Sequence, residues 1–304
     1  MSIKVFVVHH KASNVFRNEI FEPIQTGAAF SSVDLGFIKD NDGDNIASKN
    51  PFYGELTAWY WVLKNWLPLH PEVSYIGFCH YRRILDITSK PLKRAPPFEA
   101  ITWHDFERKF NSKSYSDVLM GRAVEGYDIL LPVKESLMSF RCNFIGNVFD
   151  QYTAMHPKVA FERCVNWAIV SGLASAENVR QLLCANSFHS CLNFIMRRDI
   201  FESLARWMFM LLDEVFQDLD KKFDLPYNEI RAPAFIAERF FDVWLSQQPE
   251  TVRVKECKGY LIGDSQYPHG VAWSLSGIKQ WLMWKIGLKR HKQLPSIVVR
   301  QPRQ

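Results

Sequence analysis

The chain has 304 residues, 47% of them hydrophobic and 23% charged, with a formal net charge of +5. That composition excludes a disordered polymer and matches a globular protein with a large core, long enough for one large α/β domain or two smaller ones. Mild basicity favours anionic partners such as nucleotide phosphates or a membrane surface, while the lack of dense Lys/Arg blocks beside nucleic-acid motifs speaks against nucleic acid.

In chain order, Ile3–Val8 is a short apolar, β-branched run that predicts a buried strand, and polar His9, His10 and Lys11 follow it directly. Glu55–Trp66 has helical spacing, with Leu56, Trp59, Tyr60, Leu63 and Trp66 facing inward, and Pro68 and Pro71 punctuate its exit. A second strand, Tyr75–Cys79, breaks into His80-Tyr81-Arg82-Arg83. The basic, proline-containing stretch Ser89–Pro97 reads as a mobile surface loop, and Asp105–Met120 as a weaker helix. Tyr127–Leu131 predicts a third strand, closed by Pro132, which cannot donate to a central ladder. Ser190–Met196 is a short apolar run with strand character, Asp199–Phe216 a strongly amphipathic helix, and Ala234–Ser246 a helix following Pro233. Near-continuous apolar strands separated by helices predict a central, mostly parallel sheet covered on both faces. The tail Ser276–Leu294 combines Trp281, Trp284 and Ile286 with Lys279, Lys285, Lys289, Arg290 and Lys292. It predicts a basic amphipathic helix, either packed on the core or lying on an anionic bilayer. The expected division is a main domain over 1–260 and a C-terminal extension over 261–304.

The six cysteines, Cys79, Cys142, Cys164, Cys184, Cys191 and Cys257, are scattered and form no C-x-x-C pair. They predict reduced thiols rather than a zinc site or a disulfide framework. The opening residues carry too short an apolar run for a signal peptide, and no stretch reaches the roughly 18 uninterrupted apolar residues of a membrane span. The expectation is therefore a cytoplasmic protein.

In an open parallel sheet, ligands sit beyond the carboxyl ends of the strands, so the residues just past Val8, Cys79 and Leu131 are candidates on position alone. His80, Tyr81, Arg82 and Arg83 place an imidazole, a phenol and two guanidiniums at one strand end. A guanidinium fork matches the paired oxygens of a phosphate and stays charged; a surface ion-pair cluster is the competing reading. The Asp40–Asp44 run fails an EF-hand, since Gly43 falls at the fourth loop position and no Glu closes the loop. Asn45, Asn50 and Glu55, at a helix start, are placed to grip sugar or ribose hydroxyls. Asp218-Leu219-Asp220 is a D-x-D that follows a helix rather than a strand, which favours a solvated face over a metal site. His189 and Glu238 are acid–base candidates.

Asp44-Asn45-Ile46-Ala47-Ser48-Lys49-Asn50-Pro51-Phe52-Tyr53-Gly54-Glu55-Leu56-Thr57-Ala58 resembles the G-D-N-I-S-x-K-N-P-x-Y-C-E-L-T-A signature of the DUF4422 family of bacterial polysaccharide-biosynthesis proteins. Gly54 stands at the usual Cys. Tyr75–Arg83 is similar to the family's Y-I-G-L-x-H-Y-R-R, Tyr127–Pro132 to Y-D-I-I-L-P, His189–Met196 to H-x-x-N-M-F-I-M, and Phe235–Leu245 to F-L-A-E-R-L-L-x-x-W-L. The likeness runs in order from about Val5 to Leu245. It implies a GT-A-type glycosyltransferase moving a sugar from a nucleotide donor, with family context pointing to a uridine carrier and a hexose such as galactofuranose. The implied acceptor is a glycan, lipid-linked, in capsule, exopolysaccharide or O-antigen synthesis, and the implied location is the inner face of the cell membrane. It further implies donor and diphosphate contacts at Arg82, Arg83, Tyr81, His9, Lys11, Asn45, Lys49, Asn50 and Glu55. Acceptor contacts fall at Asn193 and Arg239, and catalytic roles at Glu238, His189 and His80. Because the basic segment stands where GT-A enzymes carry a metal-binding D-x-D, arginine charge is expected to replace the metal and no cofactor is expected, a divalent metal being the alternative. A nucleotide-sugar hydrolase and a non-catalytic carbohydrate- or nucleotide-binding protein are the rival readings. P-loop and dinucleotide fingerprints do not occur.

Overall fold

The computed structural model describes residues 2–87, 97–110, 117–137, 146–216 and 226–263. The Ser89–Pro97 loop save its last residue, the Asp218–Asp220 motif, Cys142 and the basic tail lie outside them.

Strand β1 (Ser2–His9) is followed by β2 (Phe21–Gln25), β3 (Ile38–Lys39), the short helix α1 (Asn50–Tyr53) and α2 (Leu56–Trp61), which continues as a π-helical turn through Trp66. Next come β4 (Val73–His80), β5 (Arg83–Asp86), β6 (Phe98–Ile101), α3 (Trp103–Lys109), α4 (Asp117–Val124), β7 (Ile129–Pro132) and β8 (Glu135–Ser136). The chain proceeds through α5 (Val148–Met155), α6 (Lys158–Val170), α7 (Ala176–Cys184), β9 (Ser187–Phe188) and β10 (Phe194–Arg197). Helices α8 (Arg198–Val215), α9 (Tyr227–Ile230) and α10 (Ala232–Ser246) and strand β11 (Val254–Ile262) complete it. Thus the expected Asp105–Met120 helix is two helices, and residues 190–193 turn into β10 instead of belonging to it. The described helices include none long and apolar enough to cross a membrane.

The main sheet runs β3-β2-β1-β4-β10-β7-β11-β6. It is mixed, which corrects the mostly parallel expectation. β10 lies antiparallel to both β4 and β7, and β5 is antiparallel to β4 and β11; the remaining pairs are parallel. An apolar run buried on both faces fits either direction, so composition could not reveal the reversal of β10. The strand β11 carries the sheet past position 260 to Ile262.

Period-two alternation assigns the two faces of the sheet to two cores. Phe6, Val8, Ile76, Phe78, Ile129, Leu131, Phe194 and Met196 face the core built with α2, α5, α6, α7, α8 and α10. Ile3, Val5, Val7, Tyr75, Cys79, Leu130 and Ile195 face a smaller core that includes Phe106 of α3 and Met120 and Val124 of α4. The expected inward positions Leu56 and Trp59 are fully buried, and Tyr60, Leu63 and Trp66 pack against the same core. Cys79, Cys164, Cys184, Cys191 and Cys257 carry free thiols.

The close fit of β10 against β4 needs Gly77. A methyl there would meet Ile195 Cγ1 and the Phe194 carbonyl oxygen at 2.8 Å and Val5 Cγ2 at 3.0 Å. Gly121 of α4 has nothing within 4 Å of the same point. In denaturant unfolding, Gly77→Ala is expected to lose about 2 kcal/mol through overpacking, whereas Gly121→Ala gains up to about 1 kcal/mol by helix propensity.

Candidate functional site

Because β10 is reversed, its incoming loop meets the carboxyl ends of β1 and β4 at one edge of the sheet. The His80 backbone N–H donates to Asn193 Oδ1 at 3.2 Å, and His80 Nε2 lies 3.2 Å from the Cys191 carbonyl oxygen. That oxygen can only accept, so Nε2 carries a proton. Cys191 and Leu192 hold φ of 70° and 43°, a left-handed conformation that costs a side-chain-bearing residue about 1–2 kcal/mol. Among the described residues the Nδ2 of buried Asn193 has no hydrogen-bond partner.

Glu55 opens α2 with its carboxylate 3.6 Å from His80 Nε2 and 3.9 Å from Arg231 Nη2. Arg231 reaches it across Gly54, whose φ is +55° and whose added Cβ would sit 2.3 Å from Nη2. The residue at position 54 therefore has to lack a side chain for Arg231 to occupy this place. Arg231 also lies over the Tyr227 ring at 5.6 Å.

Behind this loop a polar network holds the signature segment. The hydroxyls of Thr26 and Thr57 donate to Asp40 Oδ2 at 3.0 and 2.5 Å, and the amides of Gly27 and Ala28 donate to the same carboxylate. Asn50 Nδ2 lies 2.9–3.0 Å from Gly54 O and both hydroxyls. Asn50 is thus an internal brace that fixes Gly54 and Glu55. Asn45 is exposed: its Oδ1 accepts from the Ala47 amide, and its Nδ2 donates to Gly43 O. Lys49 pairs with Asp213 at 2.8 Å. The structure sets these three around the segment rather than beside His80.

The ring of His9 stacks on Tyr81 with centroids 5.5 Å apart and packs against Phe37 at 5.0 Å, and its Nδ1 lies 3.0 Å from Ser13 Oγ. Burial, with His10 beside it, lowers its pKa to about 4, so at neutral pH it is an uncharged prop for Tyr81. His10 lies edge-on to Tyr81. Its pKa is lowered by burial and then by the positive charges of Lys11, His80, Arg231 and Arg82. Those five cationic or protonatable groups share one region. The charge of Arg83 acts on Cys191 and Glu238, and burial, with the field of Glu238 second, raises the Cys191 thiol to about 12.

Two carboxylates in this region are driven apart. Burial would raise Glu55, but the His80 and Arg231 charges outweigh it and bring it down to about 2. Glu238 of α10 is raised, first by burial and also by the like charge of Glu55, with Arg239, His80 and Arg83 opposing. A pair separated in this way marks a fixed anion beside a group able to exchange a proton. Arg239 is itself buried between the rings of Tyr152 and Phe188, donating to the Phe235 carbonyl and to Gln151 Oε1, and its Nη1 lies 3.3 Å from Glu238. His189 is also buried, hydrogen-bonded to Asp242 one turn beyond Glu238. Arg231 and Asp242 had no motif to announce them, their only signal being adjacency to Pro233 and to Glu238 on the same helix face; His10 was marked only by its place just past the first strand.

The model of a domain of unknown function, DUF4422, matches residues 4–249. The chain belongs to the DUF4422 family. The apo structure of the bifunctional glycosyltransferase WbbM is similar, with 30% sequence identity and a TM-score of 0.74 over 87% of this chain and 46% of that one. The chain thus spans about half the length of that relative. No protein of curated function matches it.

Within this DUF4422 chain, Glu55→Gln removes the like charge that helps raise Glu238. In a carboxyl 13C NMR titration, Glu238 is expected to titrate above the ordinary glutamate range in the native protein and to move to lower pH in the variant. An unmoved Glu238 would show that the two carboxylates do not interact.

Proposed function

We propose that the chain is a glycosyltransferase of GT-A type that moves a hexosyl group from a nucleotide diphosphate sugar, UDP-linked, to a glycan acceptor. One observation carries the reading: a chain 30% identical to a glycosyltransferase gathers Lys11, His10, Arg82 and Arg231 at the carboxyl ends of β1 and β4, next to Glu55, His80 and Glu238.

In this mechanism Arg82, Arg231 and Lys11 hold the diphosphate and Tyr81 borders it, while Arg83 adds fixed positive charge and His80 offers its Nε2 proton. As the bond between the anomeric carbon and the phosphate oxygen breaks, the electron pair leaves with the nucleoside diphosphate, and charge already in place stabilises it without reorganisation. The acceptor hydroxyl oxygen forms the new bond to that carbon, and its proton passes to the Glu238 carboxylate. Glu55 stays ionised and keeps His80 and Arg231 in position. Asn193, whose Nδ2 has no partner among the described residues, is assigned to a sugar hydroxyl.

Arginine charge at the end of β4 supports a metal-independent reaction, because fixed positive charge can take the place of a cation on the departing diphosphate. A uridine-linked galactofuranose, a lipid-linked acceptor in surface-polysaccharide synthesis, and attachment to the anionic inner membrane face through the basic tail complete the proposal.

Incubation of the purified protein with a panel of nucleotide sugars tests it. Slow hydrolysis of one donor, unaffected by chelator, is expected, with Arg82→Ala lowering kcat/KM about 10²-fold. Loss of turnover with chelator and its return with manganese would overturn the metal-independent part. A rise in melting temperature with no turnover of any donor would identify a binding protein instead.

A further inference from the structure

His189 has the outward form of an acid–base residue, a buried imidazole on a carboxylate, but its surroundings give it a different task. Its Nδ1 is hydrogen-bonded to Asp242 Oδ1, and its own backbone N–H donates to Asp242 Oδ2 at 2.9 Å. One carboxylate therefore grips both the ring and the main chain of a single residue. The remaining nitrogen, Nε2, is buried with no hydrogen-bond partner among the described residues, and Glu256 at 3.6 Å is beyond hydrogen-bond reach. Lys134 lies 3.8 Å from Asp242 on the same side. The groups facing the ring are thus Asp242, Glu256 and Lys134. They differ from the set of Arg83, His80 and Glu55 that acts on Glu238.

Two residues further along, the chain enters the left-handed turn at Cys191 and Leu192, neither of which is a glycine. A strained turn persists only where its surroundings hold it. On its far side Asn193 accepts from the His80 amide, and within it the Cys191 carbonyl accepts from His80 Nε2. Asp242 stands four residues after Glu238, on the same face of α10.

We propose that His189 and Asp242 form a positioning clamp: they tie the loop of residues 189–193, between β9 and β10, to α10, hold the Cys191–Leu192 turn in its strained form, and so fix His80 relative to Glu238. His189 acts through the loop and transfers no proton. The structural half of this inference stands by itself; its catalytic consequence rests on the proposed transferase reaction.

Asparagine separates the two roles, because its side-chain amide donates from about the place of Nδ1 yet cannot serve as a base. The experiment compares native protein, His189→Ala and His189→Asn by amide hydrogen exchange and by turnover of the nucleotide sugar that the native protein hydrolyses. His189→Ala is expected to speed exchange at the His80 amide at least 10-fold while Ile76, deeper in β4, stays protected. It is also expected to lower kcat about 10²-fold with donor KM little changed. His189→Asn is expected to restore His80 protection and most of kcat. If His189→Ala does not fold, His189→Gln replaces it, since its amide reaches past the Nδ1 position. Unchanged His80 exchange in the Ala or Gln variant would overturn the clamp. So would a His189→Asn protein with native His80 protection and no turnover, which would make His189 the proton-transfer group. If the native protein turned over no donor, the transferase reading would fail while the exchange data still decided the clamp.

Discussion

The arrangement depends on one strand running against its neighbours. β10 is paired on both sides, to β4 and β7, and antiparallel to each, so it enters the sheet from the edge where β1 and β4 end. In a wholly parallel sheet that position would be filled by a strand running toward that edge, and its incoming loop would lie at the opposite end. The reversal instead delivers Cys191 and Asn193 to His80. The missing side chain at Gly77 lets the backbones of β4 and β10 approach closely enough for this, and the two-core alternation keeps every strand in register.

On that frame, charge is arranged by position rather than by pairing. The cations come from separate places in the chain: Lys11 after β1, Arg82 after β4, and Arg231 just before α10. Glu55, driven well below the usual carboxylate range, offsets one of them, lying 3.9 Å from Arg231. Glu238 is driven the opposite way by burial and by Glu55. Such opposed environments separate a permanent countercharge from a group that exchanges protons.

Much of this was legible in the residues. Apolar strands followed at once by His9 or by His80–Arg83 located the edge; Glu55 was legible as a polar group at a helix start, but not as the neighbour of His80 and Arg231. Other signature residues mattered for a reason that spacing could not reveal. Asn50 is consumed by Thr26, Thr57 and Gly54, and Arg239 by Gln151 and two rings, so both shape the site from behind. Long-range partners were invisible for the same reason: nothing near Gly54 in sequence indicates that Arg231 lies on it, and the direction of β10 is a property of pairing, not of composition. His189 was legible as an acid–base candidate, whereas the bonds of Asp242 to its ring and main chain, on which the proposed clamp rests, were not.

The central claim is that fixed positive charge at the ends of β1 and β4 receives the diphosphate of a donor. A crystal structure of the protein with uridine diphosphate tests it most directly. The account predicts diphosphate oxygens at about 3 Å from the guanidinium nitrogens of Arg82 and Arg231, with His80 and Glu55 retaining their places. A nucleotide bound elsewhere, or a diphosphate held through a divalent metal with both arginines turned away, would contradict it.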